Sequence, residues 1–287
     1  MTEPAVEVSV VVSTIGRPRE LARCVEALLA AAPAPAQVIV VDQSPDGSAP
    51  DLPRPLTYLR VPDEGASRAR NRGAAAALHD VLAFTDDDCV VATDWVGALR
   101  LAYADGEVDG VTGRVLPLST GSDGVAVSSR TSRARRMFSG TGSIPWEIGT
   151  GGNLSLRRAV FERLGGFDEA LGPGTSGRAA EDVDLLYRSM LRGCTIVYEP
   201  DAIVYHERKS RRAKLRGRFG YGYGMGTFLD LHARGGDLHA RALRRRYVRG
   251  LARTALSGVR HGDIWPAADG LLTYAGLLAA SASHAQG

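Results

Sequence analysis

Three consecutive carboxylates, Asp86, Asp87 and Asp88, close an apolar run over residues 81–85. The run reads as a buried strand, so the acids crowd together where it emerges, which is costly unless a cation sits there. Two carboxylates one residue apart at the carboxyl end of a strand can chelate a hard divalent ion and present it to a diphosphate. The competing reading is a solvated acidic turn. A second acidic pair, Glu181 and Asp182, follows a glycine-rich stretch. Either acid can take a proton from a hydroxyl, or the pair can simply satisfy the dipole at a helix N-terminus. His206 follows another β-branched run, where a lone histidine usually reads as a packed or solvated imidazole.

The elements that must position these groups alternate. Residues 6–13 read as a β-branched strand, and 19–32 as a helix with Leu21, Cys24, Val25, Leu28 and Leu29 on one face. Strands over 37–42 and 56–61 flank a turn at 44–48, a helix spans 66–78, and the 81–85 strand follows. A helix over 95–104 and a strand over 110–116 complete the series. Such alternation predicts a parallel, doubly wound sheet with ligands at the carboxyl ends of its strands, where Thr14, Asp42 and Asp86 all fall. Residues 120–143 are rich in Gly, Ser and Arg and read as a long loop. Beyond it, 147–156 reads as extended, 157–164 as a short helix stopped by Gly165-Gly-Phe-Asp168, and 172–180 as a loop. An amphipathic stretch over 182–192 leads to extended segments at 195–198 and 203–206, joined through Glu199-Pro-Asp201.

Composition excludes several classes. With 287 residues, 44% hydrophobic and 23% charged, the chain can bury a sizeable core and is neither disordered nor a disulfide scaffold. Cys24, Cys89 and Cys194 lack metal-ligand spacing and read as reduced, mostly buried thiols of a cytosolic protein. The acidic start has no signal-peptide pattern, and the weakly polar stretch 270–282 is too short to span a bilayer. The net charge of +3 hides an asymmetry, because residues 208–253 carry 14 Lys and Arg against Asp230 and Asp237. That block is either a solvated helical face or a surface for phosphates.

Taken in order, Val10-Val-Val-Ser-Thr14, Val40-Val-Asp42-Gln-Ser44, Gly65-Ala-Ser-Arg-Ala-Arg-Asn71, Phe84-Thr-Asp-Asp-Asp88, Gly151-Gly-Asn153, Gly165-Gly-Phe-Asp168, Glu181-Asp-Val-Asp-Leu185 and His206 resemble the inverting glycosyltransferases of family 2. The resemblance spans residues 6 to about 210 and implies the GT-A fold, an α/β, Rossmann-like doubly wound mixed sheet. It implies a catalytic domain over 1–210, with a nucleotide-sugar half at 6–118 and an acceptor half at 144–210. Residues 211–287 form a basic helical C-terminal region.

The resemblance also implies roles. A UDP- or dTDP-sugar donor is expected against Thr14, Asp42, Arg70, Asp86 and Asp87, with uracil or thymine at Asp42. Asp42 alone has a helix or loop cap as its lesser reading, Thr14 reads equally as a turn hydroxyl, and Arg68 is the surface-facing alternative to Arg70. Asn71 reads as a brace. Asp86 leans to the ribose and metal-bound water, Asp88 ligates Mn²⁺ or Mg²⁺ directly, and His206 closes the metal shell. Asp182 is the general base, with Glu181 as its substitute or orienting neighbour, and Asp184 a structural acid. Gly151, Gly152 and Asn153 admit the sugar close to the backbone, and Trp146 offers a stacking surface.

Two other classes compete. A nucleotidyltransferase shares the sheet and acidic site but expects a Gly-rich, cationic signature after the first strand. Thr14-Ile-Gly-Arg-Pro18 supplies only one glycine and one usable cation. A membrane or nucleic-acid surface binder with a degenerate catalytic domain has no reason to keep every carboxylate. Expected partners are therefore the donor, an acceptor sugar, lipid-linked sugar or metabolite, and no nucleic acid. The basic helices face either an anionic membrane, giving a cytoplasmic enzyme held at the inner leaflet, or protein, including a second copy of the chain. Gly220-Tyr-Gly-Tyr-Gly-Met-Gly226 fails the dinucleotide spacing and reads as a hinge or a membrane-facing segment.

Overall fold

The computed structural model describes residues 6–45, 51–104, 106–118, 125 and 130–285. Parts of three sequence readings, the acidic start, the 44–48 turn and the 120–143 loop, lie outside the described residues. The described chain forms two compact units, Met1–Asp168 with Asp182–Arg208, and Glu169–Glu181 with Lys209–Gly287.

The first unit runs β1 (Val8–Thr14), α1 (Pro18–Leu29), β2 (Gln37–Asp42), β3 (Thr57–Arg60), α2 (Ala66–Ala75), β4 (Val81–Asp86), β5 (Cys89–Val91), α3 (Trp95–Tyr103) and β6 (Gly110–Pro117). It continues with β7 (Arg136–Phe138), α4 (Pro145–Ile148), β8 (Leu154–Arg157), α5 (Arg158–Leu164), α6 (Glu181–Leu191) and β9 (Ile196–His206). One mixed sheet has the order β3-β2-β1-β4-β8-β6-β9-β5, with β7 also on β9. The strands β1 to β4 are mutually parallel where paired, and β8 enters antiparallel between β4 and β6.

The two-residue period of the strands builds a core on each face of the sheet. Val8, Val10, Val12, Val38, Val40, Val81 and Ala83 pack with Leu21, Cys24, Val25 and Leu28 of α1 and Trp95, Val96 and Leu99 of α3. Val11, Ile39, Val41, Leu82 and Phe84 pack on the other face with α2, α5 and α6. Continuous Val/Ile runs fit strands buried on both sides. Register then aligns the chemistry, because Thr14 pairs with Asp42 and Ser13 with Asp86, placing the three strand ends along one edge.

Three sequence readings are corrected. Residues 147–156 are not extended throughout: α4, a 3-10 turn at Gly151–Asn153 and β8 divide them, because the Gly-Gly pair cannot sustain a strand. The long loop contains β7, which pairs antiparallel with β9. The segments at 195–198 and 203–206 are one strand, with the register on β6 jumping from Glu199 to Ile203 to accommodate Pro200.

The second unit is three helices, α7 (Arg211–Arg234), α8 (Leu238–Arg260) and α9 (Ile264–Ala285), together with the Glu169–Glu181 segment. Ser210 and Asp237 cap the first two through side-chain oxygens that accept backbone N–H groups. The glycine run at 220–226 is no hinge, since it lies inside α7, where Gly222, Gly224 and Gly226 serve close packing. A Cβ on Gly222 would sit 1.9 Å from the Thr273 carbonyl oxygen, and one on Gly226 2.8 Å from Ala280 Cβ. Gly276 reciprocates from α9, meeting the Phe219 carbonyl oxygen at 2.1 Å. The opposite face of α7 receives the Glu169–Glu181 segment, which the sequence reading had grouped with 144–210. A Cβ on Gly224 would meet Ala179 O at 2.6 Å, and the Arg178 guanidinium lies 4.9 Å from the Tyr223 ring centroid.

Some of the basic block is used internally. Arg218 pairs with Asp269 at 2.6 Å, Arg211 covers Trp265, and Arg244 binds Asp230 and the Ser281 hydroxyl. Arg241, Arg245, Arg249 and Arg253 remain exposed along α8, while Ile264, Leu271, Tyr274 and Leu278 are exposed on α9. Among the described residues no helix is long and apolar enough to cross a membrane.

Candidate active site

The acidic triplet spans the two-residue turn that joins β4 to β5, and its three carboxylates go to different partners. Asp86 accepts a hydrogen bond from Arg70 Nη2 at 2.8 Å. Arg70 is itself buried on α2, and its guanidinium lies 5.4 Å from the Phe167 ring centroid. Asp87 accepts from the Thr14 hydroxyl at 2.8 Å and from Arg17 Nη1 at 3.0 Å. Asp88 Oδ2 accepts from the same Arg17 nitrogen at 3.2 Å, while its Oδ1 lies 3.4 Å from His206 Nε2.

Burial pushes the Asp87 carboxyl up to about 6. The Thr14 hydrogen bond and the Arg17 charge pull it down, and the charges of Asp88 and Asp86 add to the rise. A folded pKa above the ordinary 3.8 means that protonation favours the fold. The stability this group adds is full below about 4 and is lost as pH rises through about 6. At neutral pH the triplet therefore gains from added positive charge.

His206 Nδ1 is 2.8 Å from the Glu207 carbonyl oxygen. A carbonyl can only accept, so Nδ1 carries the hydrogen, and Nε2 is the ring nitrogen turned toward Asp88. The 3.4 Å between Nε2 and Asp88 Oδ1 is close to the spacing of neighbouring ligands on one ion, which stand about 3 Å apart at bond lengths of about 2.1 Å. Donor atoms of Asp86, Asp88, Cys89 and His206 all lie within 4.8 Å of one another. The oxygen and imidazole donors fit Mn²⁺ or Mg²⁺. Cys89 is the unexpected member: sequence spacing gave no sign of it, because its neighbour His206 arrives from β9, directly opposite across the β5–β9 pair.

The remaining residues arrange around this cluster. Gly152 leaves room for it, since a Cβ there would be 2.8 Å from Asp86 Oδ2. The Gly152 carbonyl accepts from the Thr85 hydroxyl at 3.0 Å. The Asn153 side chain is engaged within the protein. It is buried, with Oδ1 accepting from Trp95 Nε1 at 3.0 Å and Nδ2 donating to the carbonyls of Arg114 and Ala202. Its part is to hold the turn whose backbone is presented.

Asp182 Oδ2 accepts from the Gly151 N–H at 2.7 Å and Oδ1 from the Val183 N–H at 2.8 Å, so this partly exposed carboxylate is fixed in direction. Glu181 opens α6 and is buried. Asp184 pairs with Arg188 at 2.7 Å, the structural role expected of it. Asp42 is buried, with Oδ1 accepting from the Ser44 N–H at 2.8 Å and Oδ2 from the Tyr58 hydroxyl. Asn71 braces the Gly165–Phe167 corner by exchanging two hydrogen bonds of 2.9 Å with Phe167. Trp146 lies on α4, half-buried, with its carbonyl accepting from Arg130. Sequence reasoning passed over Arg17 as a ligand of the triplet. Its position as the cation next after β1 was the available signal.

Comparison with known proteins follows from this geometry. Residues 9–165 match the model of the family described as Glycosyl transferase family 2. The succinoglycan biosynthesis protein ExoM of Rhizobium meliloti is 30% identical over 257 residues, covering 82% of this chain and 79% of that protein. The pre-mycofactocin glycosyltransferase of Mycobacterium tuberculosis is 29% identical over 152 residues, covering 52% of this chain. The match spans only 31% of that relative's own length. Among solved structures, the mannosyltransferase PcManGT from Pyrobaculum calidifontis, in complex with GDP-Man and Mn²⁺, superposes with a TM-score of 0.62 at 22% identity, covering 99% of this chain and 82% of that one. S. aureus TarS 1–349 in complex with UDP gives 0.55 at 15% identity, covering 77% and 65%. The likeness to these structures is one of fold, the GT-A arrangement.

Proposed function

The chain belongs to glycosyl transferase family 2, and from that premise we propose that it moves a sugar from a nucleoside-diphosphate donor to an acceptor hydroxyl with inversion at the anomeric carbon. The observation that carries the reading is the convergence of Asp86, Asp88 and His206 beside Arg70 at the carboxyl edge of the sheet. Asp88 and His206 would hold Mn²⁺ or Mg²⁺ directly, with Asp86 shared between the ion and Arg70. When bound, the ion supplies Lewis-acid stabilisation of the departing diphosphate. Arg70, Asp87 and Thr14 set the charge and hydrogen bonding around it, and Asp42 reads a uracil or thymine N–H. The neighbouring GDP-Man and UDP complexes support a nucleoside-diphosphate donor in general terms.

Asp182 takes the proton of the acceptor hydroxyl as that oxygen attacks. Its two backbone hydrogen bonds aim the carboxylate, and Glu181 beside it orients the pair. The Gly151-Gly152-Asn153 turn keeps side chains out of the sugar's way, and Trp146 stacks on the acceptor. That acceptor is a saccharide, a lipid-linked sugar or a metabolite. The exposed arginines of α8 and apolar residues of α9 support an anionic membrane surface as the place of work. Each cation near such a surface contributes on the order of 1 kcal/mol.

Calorimetry tests the donor reading. UDP titrated into the protein should bind with Mn²⁺ present and lose affinity in EDTA, with dTDP and GDP as comparison arms. Asp88→Ala should reproduce the EDTA result. Equal affinity with and without the ion would remove the metal from the scheme.

A further inference from the structure

Cys89 is buried one residue beyond the acidic triplet, and the proposed chemistry makes no use of it. Its surroundings are those of a ligand. It opens β5 exactly opposite His206, so the two side chains leave the same face of an antiparallel pair. Its sulfur joins Asp86, Asp88 and His206 in a group whose donor atoms lie within 4.8 Å of one another. A side chain at position 152 would crowd this space, since a Cβ there would be 3.6 Å from Cys89 Sγ as well as 2.8 Å from Asp86 Oδ2. Two carboxylates and an imidazole suit a hard or borderline ion, whereas a thiolate shifts preference toward softer ones.

We propose that Cys89 is a conditional fourth ligand, so that the Asp86–Asp88–His206 site takes thiophilic divalent ions such as Zn²⁺, Cd²⁺ or Co²⁺ through sulfur. Mg²⁺ and Mn²⁺ bind there through oxygen and nitrogen alone. This rests on the divalent site proposed above. On coordination the S–H bond breaks, its proton leaves to solvent, and a sulfur lone pair forms the bond to the ion, with no change of oxidation state. The softer ion occupies the position the activating ion needs while holding it to four protein ligands. Such a closed set resembles a structural site more than a catalytic one, which keeps a position open. Thiophilic ions should therefore act as tight competitors of Mn²⁺.

Cobalt gives a readout independent of turnover. Co²⁺ added to the metal-free protein should produce a sulfur-to-cobalt charge-transfer band in the near ultraviolet together with visible ligand-field bands. In Cys89→Ser the charge-transfer band should vanish while the ligand-field bands persist. The same variant should lose about tenfold or more in Zn²⁺ affinity and change Mn²⁺ affinity by less than about threefold. Cys89→Ala provides a second variant should the serine hydroxyl disturb folding, and circular dichroism checks both. Ligand-field bands without charge transfer in the unmodified protein would overturn the inference and leave the divalent site standing. No cobalt spectrum at all would remove both. A charge-transfer band retained in Cys89→Ser would also overturn it, assigning the sulfur to Cys24, whose Sγ lies 3.5 Å from the Asp86 carbonyl oxygen.

Discussion

Asp182 and Glu181 are adjacent in sequence, Glu181 buried and Asp182 partly exposed, and their expected roles differ. Two backbone N–H groups fix the Asp182 carboxylate, one of them from the glycine turn beside the acidic cluster. Replacing Asp182 by Asn keeps the shape and removes the proton acceptor, so turnover should fall by about 10² to 10⁴ while UDP affinity stays nearly constant. Steady-state kinetics with calorimetry on the same preparation separates the two quantities. Retained turnover in Asp182→Asn, with loss in Glu181→Gln, would reverse the assignment within the pair. At this scale the sequence was informative about residue types and poor about directions. The spacing of Asp86 and Asp88 pointed to a cation, and so did the order of motifs ending in His206. It could not show that the Asn153 amide turns inward to Trp95, nor that Arg17 reaches back to the triplet, because both depend on contacts between residues 58 or more positions apart.

The elements repeat that division. Strands and helices of the first half were legible because continuous Val/Ile runs and 3.6-residue periodicity are strong local signals. The antiparallel entry of β8 between β4 and β6 was not, since a two-residue period carries no direction. The glycine run of α7 misled for a related reason: glycine weakens a helix on its own, and only tertiary approach explains its presence inside one. That account makes a position-specific prediction. Gly217 and Gly220 have nothing within 4 Å of a built Cβ, so Ala at either should stabilise α7 by up to about 1 kcal/mol. Gly222→Ala places a methyl 1.9 Å from the Thr273 carbonyl oxygen and should destabilise by about 1–3 kcal/mol or more. Urea unfolding of the three variants decides it. A hinge predicts that all three behave alike.

At the scale of the whole molecule, charge is segregated: 14 cations and two acids lie between residues 208 and 253, within a chain of net charge +3. If the helical unit works at a membrane, low-salt pelleting with anionic vesicles should exceed that with neutral ones and fall as salt is raised. Equal pelleting with both would leave protein contact, including self-association, as the use of that surface. The sequence displayed the charge and the helical region from 211, but not that a stretch before 182 belongs with those helices. The second unit is assembled from two separate stretches, Glu169–Glu181 and Lys209–Gly287, and the first of these runs directly into Asp182. The helices are therefore not a cassette. Exchanging residues 209–287 for those of a related enzyme would pair a foreign α7 with the native inner stretch, and the mismatch would fall where Ala179 meets Gly224 and Arg178 meets Tyr223. A chimera that keeps these contacts must swap both stretches together. A larger residue at 224 therefore needs compensation at 179, across an interval of sequence that includes the whole of α6 and β9.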